Sequence, residues 1–257
     1  MLSYQHTYHA GNLADVHKHA LLAWMLDYLT AKDKPLSYIE THAGRGLYDL
    51  SSDEAVRTGE AAAGIARVEA RFAPEHPYRR CLSQVTARFG ATAYPGSPLI
   101  AALCLRDGDP LHLAELHPQE HRALVANLGP WGAHIHQRDG FDLALALSPP
   151  TPRRGVMLID PSYEVKADYT AIPKVVAQIA RKWNVGIVAL WYPILQDAPH
   201  TGMLAALQAQ IPDGLRAEVR FAPAREGHRM VGSGLFVVNP PYGMDEQAAR
   251  IARLIDA

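Results

Sequence analysis

The sequence has few of the features that mark secreted or membrane-spanning proteins. It contains only two cysteines, Cys81 and Cys104, and their spacing is typical of neither a metal site nor a redox motif. No apolar run approaches the roughly 20 residues that a membrane-spanning helix needs, and no charged stretch followed by an apolar one resembles a secretion signal. We therefore expect a cytoplasmic protein with no membrane partner.

The sequence also lacks an excess of charge of either sign. The 25 lysines and arginines nearly balance the 26 aspartates and glutamates, which leaves a formal net charge of −1. This balance argues against a protein that coats nucleic acid indiscriminately, although it permits a local basic face. Any contact with nucleic acid is therefore expected to be selective.

What is present is enough apolar sequence for a sizeable core. The chain has 257 residues, of which 48% are hydrophobic, so we expect one α/β domain over residues 1–257. Apolar residues at helical spacing predict a helix over 12–30, capped by Asn12 or Asp15, within an N-terminal helical motif over 1–33. The Ala-rich and Arg-rich segment 50–93 predicts a small inserted helical subdomain.

Short apolar runs predict the strands of one sheet. They lie at 36–39, 111–115, 133–137, 156–159 and 185–191, separated by segments of helical length, and a terminal hairpin follows at 217–222 and 234–238. Repeated βα units that end in a hairpin indicate a doubly wound, Rossmann-like, mostly parallel seven-stranded sheet with one antiparallel strand near the end.

Polar and glycine residues follow the first four predicted strands. They are the loop from Glu40 to Gly46, which contains Gly44, then Glu115, then Asp139 with Gly140, and finally Asp160. Each taken alone is an ordinary turn or a solvated acid at a strand end. Because carboxyl ends of parallel strands share one edge of a sheet, four of them in order predict a nucleoside cofactor pocket beside a base pocket.

Two tetrapeptides resemble motifs that hold an amino group. Asp160-Pro161-Ser162-Tyr163 follows the fourth strand, and Asn239-Pro240-Pro241-Tyr242 follows the last one. The second is the closer match to the motif of N6-adenine methyltransferases, but no later strand remains to complete a pocket around it. We therefore predict that the first is the site, although Ser162 replaces a proline and frees its φ angle, and that the second is a structural turn.

Nearly the whole chain resembles the bacterial large-subunit ribosomal RNA methyltransferase J family. The motifs that carry the resemblance are Met1-Leu-Ser-Tyr4 with His6, His9-Ala-Gly11-Asn12, Ala14-Asp15-Val16, Lys18-His19, Thr41-His42-Ala43-Gly44, Tyr94-Pro-Gly96-Ser97-Pro98, Glu115-Leu-His117-Pro118, Asp139-Gly140, Leu158-Ile-Asp160-Pro161, Ala189-Leu-Trp-Tyr-Pro193 and Val238-Asn-Pro-Pro241. The resemblance implies a class I methyltransferase that uses S-adenosylmethionine to methylate N6 of adenine 2030 in 23S rRNA, naked or in an early assembly intermediate.

The resemblance also implies roles for individual residues. Asp160 is the catalytic hydrogen-bond acceptor, together with the Pro161 carbonyl, and Tyr163 stacks on the base, a contact worth ~1–3 kcal/mol. Tyr4, His6 and Lys18 contact the RNA substrate. The cofactor contacts are His19, His42, Gly44, Ser97, Glu115, Asp139, Gly140 and Asp160.

Several alternatives remain open at this stage. Asp160 either takes a proton from the amine or only orients it. The basic residues Arg57, Arg67, Arg71, Arg79, Arg80, Arg88, Arg225, His228 and Arg229 either contact phosphates or form solvated faces. We predict no metal, because the N-terminal histidines have no identifiable ligand partners, and we expect a monomer. Methylation of DNA or of another RNA is an alternative activity, and binding of external DNA is an alternative function.

Overall fold

The computed structural model describes residues 6–224 and 227–256 of the chain. Its α-helices are α1 (Leu13–Thr30), α2 (Asp53–Thr58), α3 (Glu60–Ala63), α4 (Ile65–Val68), α5 (Pro77–Phe89), α6 (Ser97–Cys104), α7 (Pro118–Leu128), α8 (Gly140–Leu147), α9 (Asp168–Lys182), α10 (His200–Gln210) and α11 (Met244–Asp256). Short 3-10 turns occur at His6–Tyr8, Glu69–Arg71 and Gly129–Trp131. In this described part of the chain, no helix combines the length and the apolar content needed to cross a membrane.

The strands form a seven-stranded sheet and a two-stranded one. They are β1 (Ser37–Glu40), β2 (Leu47–Asp49), β3 (Ala93–Pro95), β4 (Leu111–Ala114), β5 (His134–His136), β6 (Gly155–Ile159), β7 (Ile187–Leu195), β8 (Leu215–Arg220) and β9 (Met230–Val238). The large sheet has the order β5-β4-β1-β6-β7-β9-β8, and β9 runs antiparallel to both of its neighbours. The predicted doubly wound, mostly parallel seven-stranded sheet with one antiparallel strand is confirmed.

The strand order reverses between β1 and β6, because the chain builds outward to β4 and β5 on one side and to β7 on the other. At such a switch point the loops after neighbouring strands diverge and leave a crevice at the carboxyl edge of the sheet. The loops that begin at Thr41 and Asp160 follow these two strands. The topology therefore brings both predicted loops to one crevice.

The two faces of the sheet pack against separate sets of helices. Along β6, Val156 and Leu158 belong to the cluster that includes α1, α5, α6 and α11, whereas Met157 and Ile159 belong to the cluster that includes α9 and α10. This alternation follows from the two-residue period of a strand. All four side chains are fully buried, as expected of a parallel strand covered on both faces.

Helix α1 is buried along most of its length and carries polar side chains to the crevice. Asn12 caps it, since the Asn12 side-chain oxygen accepts the N–H of Asp15 at 2.8 Å, as one of the two predicted caps. The helix packs against α5, α6, α11 and β9. His17, Lys18 and His19 are all at least 95% buried, so none of them is a surface residue.

The segment 50–93 contains the four helices α2 to α5 and lies between the antiparallel strands β2 and β3. Sequence patterning did not predict these strands, which have only three residues each. Ile65, Val68 and Val85 from this segment belong to the same buried cluster as α1. That the segment forms a subdomain of its own remains a prediction.

The second tetrapeptide lies at the opposite edge of the sheet from the crevice, because β9 is antiparallel. Asn239 adopts the left-handed conformation with φ of 52°, and its side-chain nitrogen donates to the carbonyls of Asn184 and Gly186. Tyr242 is 91% exposed. These contacts are those of a turn that connects β9 to α11.

Gly155 is a position where this packing can be tested. A Cβ atom there would lie 2.0 Å from the carbonyl oxygen of Ser37 on β1, so Gly155→Ala must separate two hydrogen-bonded strands. We expect it to lower the free energy of unfolding by about 1–3 kcal/mol, measured by denaturant titration. Gly202→Ala is the matched control: its Cβ meets nothing within 4 Å on helix α10, where alanine is favoured by up to about 1 kcal/mol. Equal stability of the two variants would contradict the packing described.

Candidate active site

A pocket of about 480 Å³ opens at the switch point of the sheet. Its walls come from α1 and from the loops after β1, β4 and β6, together with β7 and the start of β9. Ten of the predicted site residues line it: His6, Lys18, His19, His42, Gly44, Ser97, Glu115, Asp160, Pro161 and Tyr163. Asp139 and Gly140 are not among its lining residues, and Tyr4 lies outside the described residues.

An ion pair joins α1 to the predicted catalytic loop. The Lys18 ammonium lies 2.6 Å from Oδ2 of Asp160 and 3.1 Å from Oδ1 of Asp15. Burial opposes the charge of Lys18, but the Asp160 and Asp15 carboxylates outweigh it and raise the pKa of Lys18 above its ordinary value. Lys18 is therefore a cation held between two carboxylates.

Asp15 is a buried carboxylate with several donors around it. Its Oδ2 accepts the N–H of Gly11 at 3.0 Å and lies 2.8 Å from Nε2 of His6. Burial would raise the pKa of Asp15, but His6 at hydrogen-bond distance and the Lys18 ammonium outweigh burial and lower the pKa well below its ordinary value. Two of the predicted site residues, His6 and Lys18, are thus attached to a carboxylate that sequence analysis had treated only as a candidate helix cap.

Glu40 ends β1 beneath the pocket and is completely buried. The hydroxyls of Ser97 and Tyr38 both donate to its carboxyl group. Burial raises the pKa of Glu40 to about 8, although these two hydrogen bonds act in the opposite direction. Glu40 is therefore a mostly neutral acid at pH 7, and it fixes the orientation of Ser97 in the pocket wall.

Glu115 directly follows β4 and closes the loop after β1. Its carboxylate accepts the N–H of Gly44 at 2.8 Å and the N–H of His117 at 2.7 Å, one on each oxygen. Gly44 has a φ of 60° and, with a side chain, would place a Cβ 2.5 Å from the Tyr48 hydroxyl, so this position requires glycine. The side chain of Glu115 is thereby held at the rim of the pocket.

The two buried histidines of the pocket are neutral at physiological pH. Burial lowers the pKa of His19 to about 3 and that of His42 to about 4. Nδ1 of His19 lies 3.0 Å from the Tyr94 hydroxyl, and the His42 ring packs edge-on against Phe141. Both rings therefore present uncharged polar atoms to the pocket.

Tyr163 is largely buried, with a φ of 57° that a non-glycine residue rarely adopts. Its hydroxyl donates to the carbonyl of Trp191 at 2.7 Å. The Lys18 ammonium lies 5.5 Å from the centroid of the Trp191 ring, and the Trp191 indole N–H donates to Ser233. Tyr163 and Trp191 thus form an aromatic wall next to Asp160.

Asp139 and Gly140 each have a structural role that explains why an aspartate and a glycine occupy these positions. Oδ1 of Asp139 accepts the N–H groups of Phe141 and Asp142 and so caps α8. A Cβ on Gly140 would lie 1.9 Å from the carbonyl oxygen of Thr41. Glycine is therefore required here for the approach of α8 to the end of β1, and the cofactor role of both residues stays a prediction.

Comparison with known proteins places this site in a family. The model of the family described as ribosomal RNA large subunit methyltransferase D, RlmJ, matches residues 33–257. The ribosomal RNA large subunit methyltransferase J of Escherichia coli K12 is 40% identical over 96% of this chain and 90% of its own length. The chain belongs to the RlmJ family. This finding confirms the resemblance noted in the sequence.

Two other relatives agree with this RlmJ-family assignment. The methyltransferase J of Haemophilus influenzae Rd is 37% identical over 98% of this chain and 92% of its own length. The crystal structure of protein LPL1258 from Legionella pneumophila, 36% identical, superposes with a TM-score of 0.85 over 95% of this chain and 92% of that chain. The chain is therefore similar in sequence to large-subunit rRNA methyltransferases and similar in fold to LPL1258.

The site residues predicted from the sequence of this RlmJ-family protein leave out several residues that line the pocket, among them Asp15, Tyr48 and Trp191. Asp15 and Trp191 stand in motifs of the family resemblance, but their residue types alone indicate a helix cap and a core aromatic. One signal was available for Trp191, since β7 is the strand next to β6 and its end had to approach the same crevice.

Most of the insertion arginines of this RlmJ-family chain are engaged within the protein. Arg67 and Arg71 donate to the carbonyls of Ile255 and Leu254 at the end of α11. The others pair with acids or with an aromatic ring: Arg79 with Glu69, Arg80 with Asp27, and Arg88 with Trp131. Arg57 is exposed, and Arg225 lies outside the described residues. Arg79 and Arg80 are still partly exposed, so whether these arginines contact phosphate or form a solvated face stays a prediction.

Glu40 makes the stability of the protein depend on pH. Its pKa of about 8 in the folded chain lies above the ordinary value of 4.5, so between these values the folded state binds more protons than the unfolded state. Stability is therefore lost as pH rises through this window. We expect the melting temperature of wild type to fall more between pH 5 and pH 8.5 than that of Glu40→Gln.

The matched control for this comparison is Glu246→Gln, because Glu246 is exposed on α11. This variant should follow the wild-type melting curve across the same pH range. If Glu40→Gln also followed it, Glu40 would not titrate in this window.

Proposed function

We propose that the protein transfers a methyl group from S-adenosylmethionine to N6 of adenine 2030 in 23S rRNA, in the cytoplasm. Membership of a large-subunit rRNA methyltransferase family supports the substrate class. The observation that carries the rest is the position of Asp160-Pro161-Ser162-Tyr163, which lies in the pocket at the carboxyl end of β6 with its carboxylate paired to Lys18.

The residues of the pocket fit S-adenosylmethionine. Glu115 lies at the end of the second parallel strand, where a carboxylate accepts ribose hydroxyls, and Gly44 leaves the adjoining backbone uncovered. The neutral rings of His19 and His42 offer hydrogen bonds without repelling a cation. Asp139 is not among the lining residues of the pocket, but both of its cap bonds end on Oδ1, and we propose that its Oδ2 accepts the cofactor's adenine amino group. When bound, S-adenosylmethionine supplies a methyl group that its sulfonium already activates.

Asp160 orients the acceptor nitrogen. Its Oδ2 is paired with Lys18, so Oδ1 is the oxygen that accepts one hydrogen of the adenine amine, and the Pro161 carbonyl accepts the other. These bonds turn the nitrogen lone pair toward the methyl group and hold the reacting atoms in line. Because the Lys18 ammonium compensates the carboxylate charge, Asp160 serves as a hydrogen-bond acceptor, and the proton of the methylated amine passes to water.

The aromatic wall holds the base itself. The target adenine must leave its stack to reach Asp160, and Tyr163 and Trp191 line the space beside that carboxylate. Tyr163 is fixed by its bond to the Trp191 carbonyl, so its ring is preorganised for stacking. We propose that Tyr4 and His6 complete the substrate side, with the protein acting as a monomer on naked or partly assembled 23S rRNA.

A direct assay tests this function. The purified protein is incubated with methyl-labelled S-adenosylmethionine and 23S rRNA lacking the modification, and the nucleosides are then analysed. We expect N6-methyladenosine in the RNA, and mapping should place it at position 2030. A parallel arm contains unmethylated genomic DNA. Label in DNA alone would replace the proposal by a DNA methyltransferase activity.

Substitution of Asp160 separates chemistry from binding. Asp160→Ala removes the acceptor of the amine hydrogen and leaves Lys18 without its nearer carboxylate, so the rate of methyl transfer should fall on the order of 100-fold or more. Affinity for RNA, measured by filter binding, should change little. Asp142→Ala, at an exposed position on α8, is the control and should keep wild-type activity. Full turnover by Asp160→Ala would exclude this carboxylate from the reaction.

A further inference from the structure

Asp15 connects three parts of the pocket although it touches neither the proposed base nor the aromatic wall. It lies in the first turn of α1, 2% exposed, with its own N–H bound to Asn12. Its two oxygens contact different groups: Oδ2 contacts the Gly11 N–H and His6, and Oδ1 contacts Lys18. Since the Asn12 side chain fixes the backbone N–H of Asp15 and the Gly11 N–H fixes its carboxylate, Asp15 is a rigid anchor.

Lys18 needs such an anchor to keep its place. A lysine side chain has four rotatable bonds and loses up to about 2 kcal/mol of rotamer entropy when it is ordered. One carboxylate on an opposing loop would let the ammonium shift with that loop. With Asp15 on its own helix three residues earlier, the ammonium is clamped between two anions and over the Trp191 ring.

We propose that Asp15 is a positioning residue of the methyl-transfer reaction: it fixes the Lys18 ammonium on Oδ2 of Asp160, and thereby keeps Oδ1 turned toward the acceptor amine. This inference rests on the proposed function for its kinetic consequence, but the arrangement of Lys18 can be measured without any substrate. Asp15 acts through Lys18 and does not itself touch the reacting atoms.

The charged and titratable groups near Lys18 set its pKa, and this pKa distinguishes a positioning role of Asp15 from a purely structural one. They lie on α1, on β1 and in the loop after β6: Asp15, His19, Glu40 and Asp160. His6 reaches the cluster through Asp15. Loss of the Asp15 charge removes one of the two anions that raise the pKa of Lys18, while burial still lowers it. The pKa of Lys18 should therefore fall.

The kinetic test compares Asp15→Asn with wild type across a range of pH. We expect kcat to fall on the order of 100-fold, as for a small misplacement of a reacting group, while KM for S-adenosylmethionine stays within about 2-fold of wild type. We also expect the alkaline loss of activity to move to lower pH. Asp15→Glu keeps the charge and should keep the alkaline limb at the wild-type position. A merely structural defect would lower kcat by the same factor at every pH, and the pH at which activity is lost on the alkaline side would not change.

Asp27→Asn is the matched control, because Asp27 lies on the same helix and pairs with Arg80 at the surface. It should leave kcat and the pH profile unchanged. Melting curves of all variants establish that each is folded at the assay temperature.

A second measurement does not depend on catalysis. The chain has six lysines, so 15N-lysine NMR resolves their side-chain nitrogens, and Lys18→Met identifies the Lys18 signal. We expect the titration midpoint of Lys18 to fall by about 1 pH unit or more in Asp15→Asn and to stay in place in Asp27→Asn. If Asp15→Asn does not fold, Asp15→Glu takes its place, and its midpoint should remain near that of wild type.

The outcomes separate the two proposals. Inactive wild type would overturn the proposed function and leave the NMR titration to decide on Asp15. Active wild type with an unshifted Lys18 midpoint, or with an unmoved alkaline limb in Asp15→Asn, would overturn the positioning role alone. With Asp15→Glu as the only folded variant, a midpoint that fell despite the retained charge would overturn it as well.

Discussion

The ion pair between Lys18 and Asp160 is the contact on which the rest of the site depends. It joins residues 142 positions apart, one on α1 and one at the end of β6. Removing two charges from water costs several kcal/mol per ion, and the pair offsets this only with good geometry and further hydrogen bonds. The burial of α1 along most of its length fixes the geometry of the pair, and the second carboxylate, from Asp15, provides a further contact to the ammonium. The N-terminal helix is thus as much a part of the pocket as the sheet loops are.

The protonation states of the residues around this ion pair determine which charges the pocket carries. At pH 7 the pKa values place His19, His42 and Glu40 mostly in their neutral forms. Burial thus removes two positive charges and one negative charge that an exposed site could carry. The Lys18 ammonium stays a cation, because the carboxylates of Asp15 and Asp160 lie beside it.

Sequence reasoning predicted the features that follow from strand order and not those that depend on side-chain direction. The switch point brought Gly44, Glu115 and Asp160 together because carboxyl ends of parallel strands share an edge. Asp139 and Gly140 were predicted by the same logic; they lie at the start of α8 and are not among the lining residues of the pocket, so their cofactor role stays a prediction. The role of Asp15 could not be read from its local sequence, since a cap and an ion-pair anchor look alike in the first turn of a helix. The strands β2 and β3 were too short to show a period of two.

The distribution of arginines bears on how a nearly neutral protein selects one base in a large RNA. Phosphate contacts supply affinity without sequence information, and five of the six insertion arginines already contact acids, carbonyls or a ring within the protein. These internal contacts compete with phosphate for the same guanidinium groups. Under the proposed function, the selective step falls on the pocket, where a base must leave its stack and reach a carboxylate fixed by Lys18. Recognition and chemistry would then depend on the same buried ion pair.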